Sequence, residues 1–447
     1  VALGTCLTGT AASAQGVARA DSAVDEKPTS RLTPDVLAQI PAAGTQSGAI
    51  AAAPVDTTLG AGIDVLVMTV GPGSNVWERF GHNAIRIRDR AHGVDVAYNW
   101  GTFDFNQPNF LTRFLRGNTE YWMVGNDASA DIAKYIDENR SVWVQELNLT
   151  PTQRAQLARF VEWNALDEHK YYRYDYYLDN CSTRVRDALD RVLGGAIKRV
   201  LVPQRTGTTY RSHTRRLTDG DVGVYTGIQL ALGRPADDEL SAWDESFLPV
   251  KLMEHLRRVQ VPGPGGTVVP LVAAERQIFV ARRTPEPNAP PSHAFAYALA
   301  GAVLGGFLLL FATGARDGRT GAGAAFGVVA GLWTLVNGLL GTAVLLAGTV
   351  TRHVFMGRNL NLAAFGPLAF VALVLVLAAV GARRPETRVR WAVRAARVCG
   401  LIAALTVVGW LGAMIIGQRS GEIFALAVPA NVALWWACRT LSTARRA

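Results

Sequence analysis

The chain has 447 residues, of which 49% are hydrophobic and 18% charged, with a formal net charge of +9. That length allows two or three domains. The positive excess does not point to nucleic acid, because much of it lies in short arginine clusters between and after long apolar runs, such as Arg383, Arg384, Arg388, Arg390, Arg394 and Arg397.

Residues 2–12 are small and apolar, and Ala12-Ser13-Ala14 fits a cleavage site before Gln15. Residues 1–14 therefore read as the remnant of a secretory signal. Residues 15–60, rich in Ala, Ser, Thr, Gly and Pro, read as a flexible leader. A soluble domain is expected over 61–261. It opens with a strand at 63–70, a Gly-Pro-Gly-Ser turn and a short helix at 75–80. Residues 82–88 and 94–100 then form a hairpin around the turn at 89–93. Helices follow at 128–138 and from the Thr150-Pro151-Thr152-Gln153 start to about 165, which carries both a capping box and a proline at the first position. A Tyr-rich stretch leads to Asn180-Cys181 and a last helix that stops at Gly194-Gly195. This order predicts an α+β domain. Residues 262–293, rich in Pro and Gly, read as a linker with one strand near 277–282.

From 294 to 441 the sequence reads as an all-α membrane domain. Apolar runs near 294–314, 323–348, 362–381, 398–416 and 422–438 approach or exceed the roughly 20 residues that cross a bilayer. Arginines concentrate in loops 315–322 and 382–397 and in the tail 439–447, and thin out in loops 349–361 and 417–421. The positive-inside rule then puts the soluble domain and the arginine-poor loops outside the cytoplasmic membrane, and the tail inside. Gly301–Gly306 and Gly338–Gly341 permit close helix packing, and Asn337 reads as helix–helix glue.

Four cysteines are present; Cys6 lies in the signal-like segment and Cys399 and Cys438 in apolar spans. Cys181 is thus the one cysteine of the soluble domain, either an inert buried thiol or a working one. Asp179 or Asn180 can cap the helix that follows, which places Cys181 in its first turn, where free N–H groups favour a thiolate and supply donors to an oxyanion. His82, at the start of a strand after Phe80-Gly81, is the candidate base. The hairpin returns residues 98–100 beside it, so Asn99 is the candidate orienting group and Tyr98 the second choice. In the loop between the second and third spans, Arg352, His353, Arg358 and Asn359 are candidates to hold phosphate head groups. No metal-binding or cofactor-binding signature occurs.

The segments VGPGSNVWERFGHNAIRIRD, YNWGTFDFNQPNF, LRGNTEYWMV, QELNLTPTQR and YYRYDYYLDNCSTRVRDALD resemble the Lnb-type periplasmic domain, a family of bacterial lipoprotein N-acyltransferases and uncharacterised relatives. The resemblance covers roughly residues 63–195. It implies a circularly permuted papain-like fold with the His strand beside the Cys helix, and no cofactor. It implies further that Cys181 takes an acyl chain from phospholipid as a thioester, assisted by His82. The chain would then pass to the N-terminal amine of a lipid-modified exported lipoprotein at the outer face of the inner membrane. An exported cysteine amidase acting on cell-wall peptides, or a non-enzymatic membrane sensor or assembly protein, are the alternative expectations.

Overall fold

The computed structural model describes residues 58–443; the signal-like segment, nearly all of the leader and the last residues of the tail lie outside them. The described chain forms a mixed α/β domain followed by five long apolar helices.

The centre of the first part is a seven-stranded antiparallel sheet; apart from it, β7 (Arg205–Thr209) with β8 (Glu239–Ser241) and β9 (Gln260–Pro262) with β10 (Val268–Pro270) form two small ladders. β1 (Ile63–Val70), β2 (His82–Asp89) and β3 (Val94–Thr102) are the strands the alternation predicts. β4 (Glu120–Asp127), β5 (Val142–Leu147) and β6 (Tyr171–Arg173) were not expected, and β11 (Val272–Phe279) begins five residues before the strand expected near 277–282; the order across the sheet is β11-β5-β1-β2-β3-β4-β6, with every neighbouring pair antiparallel. β11 corrects the domain boundary: residues 272–279 pair with β5 at the sheet edge, so the soluble domain closes with them and the connection to the membrane half is shorter than the 262–293 linker. Its partner strand lies more than a hundred residues earlier, and no local pattern reveals such a pairing.

Both faces of the sheet are covered, as strand alternation requires. On one face Val65, Val67, Ile85, Ile87 and Trp100 pack with Leu157 and Val161 of α3 (Pro151–Asn164) and with Val185 and Leu189 of α4 (Cys181–Val192). On the other face Met68, Val70, Ala84 and Ala97 pack with Tyr135 of α2 (Ala128–Asp137). A short helix, α1 (Phe110–Leu115), stands between β3 and β4. Two more helices, α5 (Tyr210–Thr218) and α6 (Val222–Ala231), and later α7 (Pro249–Leu256), complete the domain.

The membrane half comprises α8 (Ala294–Arg316), α9 (Ala322–Thr349), α10 (Leu368–Gly381), α11 (Pro385–Ile416) and α12 (Gly421–Ser442). All five are long and apolar enough to cross a bilayer, the third being counted from Leu360. α11 begins a full 13 residues before the expected span at 398, so Arg388, Arg390, Arg394 and Arg397 ride on helix rather than loop. The predicted glycine approaches are tight: a Cβ on Gly301 would sit 2.3 Å from the Leu426 carbonyl, and one on Gly341 2.4 Å from the Gly366 nitrogen.

The two halves dock through the loops at one end of the bundle. Phe355, between α9 and α10, is buried among Tyr177, Tyr210 and Phe247, with ring centroids 4.9 Å from each of the two tyrosines. Glu422, at the start of α12, accepts from Arg215 and from the Tyr225 hydroxyl, both at 2.7 Å. The arginine-poor loops therefore lie on the side of the soluble domain.

Candidate active site

Gly81 enters β2 with φ +84°, and a Cβ there would lie 2.7 Å from the Val70 carbonyl. Only glycine turns the chain so sharply at this point, and the next residue is His82. His82 and Ala84 face the α2 side of the sheet, whereas the Asn83 side chain faces α4 and donates to Ser182 Oγ at 3.0 Å. Ser182 Oγ donates in turn to the Ser246 carbonyl at 2.7 Å. The start of β2 is thereby fastened to the start of α4.

Asn180 is the residue that caps α4. Its side-chain oxygen accepts from Ser182 N–H and Thr183 N–H, and its amide donates to the Tyr176 and Phe247 carbonyls. Asp179 instead pairs with Arg184. Cys181 is the first helical residue and is partly accessible. The β2–β3 ladder begins at Ala84 opposite Asn99, so Asn83 lies beyond its end. The Asn83 N–H, with those of Ser182 and Cys181, is near enough to the Cys181 sulfur to favour its charged form. The thiol thus meets the strand residue that immediately follows His82.

The His82 ring bonds Asn99 Oδ1 through Nε2 at 2.9 Å. The Asn99 amide nitrogen donates to the Ala97 carbonyl and to Asp131 Oδ2, at 3.0 and 2.7 Å. Two acceptors on that nitrogen fix the amide, so Oδ1 must face the imidazole and accept. Nε2 therefore carries the proton, and Nδ1 is left with its lone pair. Asp131, on α2, also accepts from Asn126 at 3.0 Å. Tyr98, the second candidate, points to the opposite face into the α3–α4 core.

Electrostatics correct one expectation. Burial, aided by the positive charges of Arg140 and Lys134, depresses the His82 pKa from 6.5 to about 4 against the opposing hydrogen bond to Asn99. Burial also pushes the Cys181 thiol above its ordinary value, and the N–H donors and Arg140 only partly offset it. The resting pair is therefore neutral thiol and neutral imidazole, not the thiolate that a helix start alone favours. Desolvation outweighs the dipole because the thiol packs against the domain core, which periodicity does not show.

Tyr172 escaped the sequence reading. Its buried hydroxyl has no hydrogen-bond partner, and it flanks Gly101, whose added Cβ would lie 3.8 Å from Cys181 Cβ and 3.9 Å from the Tyr172 oxygen. Arg140, which donates to the Gly71 carbonyl at 3.0 Å, was missed as well. The Tyr-rich run before Cys181 was the available signal for Tyr172; nothing local singles out Asp131 or Arg140.

The loop candidates separate. Asn359 is buried, donates to the Leu230 and Ala231 carbonyls at 2.9 Å and caps a single turn at Asn361, so it fastens the halves together and is not free for a head group. His353 donates through Nε2 to the Phe114 carbonyl at 3.0 Å. Arg352 and Arg358 are exposed.

Residues 60–216 match the family model of the Lnb N-terminal periplasmic domain. This domain belongs to the Lnb family. No curated protein and no solved structure matches the chain. The Lnb match spans β1 through most of α5 and so includes His82, Asn99, Asp131, Tyr172 and Cys181. A periplasmic Lnb domain attached to five apolar helices makes the chain a multi-pass membrane protein whose globular domain lies on the periplasmic side. Among the described residues no cluster of His, Cys, Asp or Glu has the arrangement of a metal site.

Proposed function

We propose that the chain is a thiol acyltransferase of the inner membrane. It would move an acyl chain from phospholipid, through a Cys181 thioester, to the N-terminal amine of an exported lipoprotein. The observation that carries this reading is the His82–Asn99–Asp131 relay beside a helix-start thiol. The relay leaves His82 Nδ1 as the free base, and the Cys181 sulfur lies against the next residue of the same strand. A His strand packed beside a Cys helix is also what a permuted papain-like fold requires.

In the first step the thiol proton passes to His82 Nδ1 and the sulfur attacks the ester carbonyl. The new C–S bond forms as the ester C–O bond breaks, and the proton leaves with the lysophospholipid oxygen. In the second step an amine attacks the thioester, the C–S bond breaks, and the amine proton returns through His82 to sulfur. Both tetrahedral intermediates carry an oxyanion. The Asn83 and Cys181 N–H groups and the unpartnered Tyr172 hydroxyl are the donors poised for it. Burial holds the Tyr172 pKa well above its usual value, so its hydroxyl keeps the proton it would donate. A neutral resting pair suits a buried site: charge separates only when substrate has displaced water.

The test is a mass measurement on the purified full chain incubated with phospholipid. The expected product is an acyl adduct on Cys181, released by hydroxylamine and absent in Cys181→Ala. No adduct, with cleavage of cell-wall peptides instead, would replace acyl transfer by amidase chemistry.

A further inference from the structure

A row of aromatic rings runs from the surface of the domain to the Cys181 neighbourhood. Phe114, Phe110, Phe103, Tyr121 and Tyr174 stack in succession, with centroid separations of 6.4, 6.1, 4.9 and 4.3 Å and interplanar angles of 19–21°. The inner rings, Phe103 and Tyr174, pack against the same core as Cys181. Gly101, two residues before Phe103, lies at this end of the row, and a Cβ added to it would sit 3.8 Å from the Cys181 Cβ. The outer end is α1, which exposes Leu111 by 66%, Leu115 by 60% and Phe114 by 49%. A lone exposed leucine means little, but three on one short helix form an apolar surface that needs an occupant.

The position of α1 says what that occupant is. Arg352 N–H donates to the Arg116 carbonyl at 2.9 Å, and His353 donates to the Phe114 carbonyl at 3.0 Å. These bonds pin α1 to the point where α9 leaves the bilayer. Leu346 at the end of that span and Val350 just after it are likewise exposed, by 49% and 69%. Beside α1 lies an open cavity of about 580 Å³ that includes Arg113 and Arg116 in its lining. Apolar side chains facing the hydrocarbon with arginines at the polar boundary is the pattern of a helix lying in a membrane interface.

We propose that α1 dips into the outer leaflet and that the aromatic row is the groove along which a phospholipid acyl chain reaches Cys181. Leu111, Phe114 and Leu115 take the hydrocarbon and Arg116 sits at the phosphate, while Arg113 is paired with Glu120 at 3.1 Å. The groove rests on the acyl-transfer reading for its purpose; the lipid-facing surface does not.

The experiment uses the full chain in nanodiscs of phosphatidylethanolamine and phosphatidylglycerol. A benzophenone amino acid replaces Leu111 or Leu115, or, as a control, Val268, which is 67% exposed on the hairpin of β9 (Gln260–Pro262) and β10 (Val268–Pro270). Irradiation should give phospholipid adducts at 111 and 115 roughly tenfold above those at 268. Equal labelling at all three, or none at 111 and 115, overturns the proposal. The adducts should form equally in a Cys181→Ala background. In a chain otherwise unchanged, Leu111→Glu together with Leu115→Glu should slow acylation of Cys181 by membrane phospholipid about tenfold while its alkylation by iodoacetamide is unchanged. Unaltered acylation of that variant overturns the groove. Strong labelling at 111 and 115 with no acyl group ever found on wild-type Cys181 upholds the lipid surface and removes acyl transfer.

Discussion

The protein has two polar interiors, and they are built to opposite rules. In the membrane half every group of the network is paired. Asn431 donates to the Ala364 carbonyl and Thr406 Oγ at 3.1 and 3.0 Å and accepts from Trp333 at 2.9 Å, while Asn337 bonds the Ala364 carbonyl and the Gly366 N–H, both at 3.1 Å. In the soluble domain nine buried side-chain atoms have no partner among the described residues, and three of them, Asn83 Oδ1, Tyr172 Oη and Tyr176 Oη, belong to residues near the start of α4. A buried polar group without a partner costs about 1–3 kcal/mol, so a paired network serves structure, and the three unpaired groups gathered beside Cys181 are open to bonds from another molecule. The membrane half holds the molecule together, and the periplasmic end is held ready for a ligand.

That contrast breaks most severely at His82. His82→Ala removes the imidazole of the relay and should lower the rate of Cys181 acylation by about 10²–10⁴-fold. Circular dichroism should be unchanged, because His82 makes its one side-chain bond to Asn99. Acylation at the wild-type rate would make the relay structural. Tyr172→Phe comes next. If the lone hydroxyl waits for an oxyanion, its removal should cost roughly 10²-fold in kcat with little change in KM, and thermal stability should rise or stay level because an unpaired buried group has gone. A structural tyrosine would give the reverse, a lower Tm and normal kcat.

The pH profile sharpens the same contrast. His82 has a folded pKa of about 4, so the neutral base is present above that value and is lost as pH falls through it. The acid limb of kcat/KM should lie near pH 4 rather than near 6.5. Because Asn99 raises the His82 pKa, Asn99→Ala should move the limb lower still while also slowing the reaction. The thiol pKa is raised, so iodoacetamide alkylation of Cys181 without substrate should be slow at pH 7 and climb above pH 9. An alkylation midpoint below pH 7 would restore the resting thiolate that the helix start alone implies.

What was legible in the sequence follows from the range of the forces involved. The β2–β3 hairpin, the caps at Thr150 and Asn180 and the apolar runs are written in neighbouring residues, and Asn99 could be read because one tight turn returns it to His82. Asp131, Tyr172 and Arg140 reach the site from α2, β6 and the start of β5, whose pairing is not local. The same reason hid the pairing of β11 with β5, although a strand near 277–282 was read. The Cys181 protonation state failed differently: the helix dipole is a local feature, but the burial that outweighs it is a property of the assembled core. Asn359 failed because an amide in a polar loop looks alike whether it meets lipid or two backbone carbonyls.

The smallest expected effect tests the other side of the comparison. Asn431→Leu keeps the volume of the side chain and deletes its hydrogen bonds within the bundle, leaving the Trp333 indole without an acceptor and Thr406 Oγ with its own donation to Ile402. Interhelical hydrogen bonds in membranes are worth about 0.6–1.7 kcal/mol, because the separated helices find other partners. The variant should therefore unfold more readily in detergent by about 1 kcal/mol, near fivefold in the equilibrium. Per folded molecule, Cys181 acylation should be unchanged, since no bond of this network extends to β2 or α4. A loss of activity larger than the loss of folded protein would mean that the bundle's polar core helps set the geometry of the thiol. The route would be Phe355, which ties the α9–α10 loop to Tyr177 four residues before the nucleophile, and Phe355→Ala should then reproduce the defect.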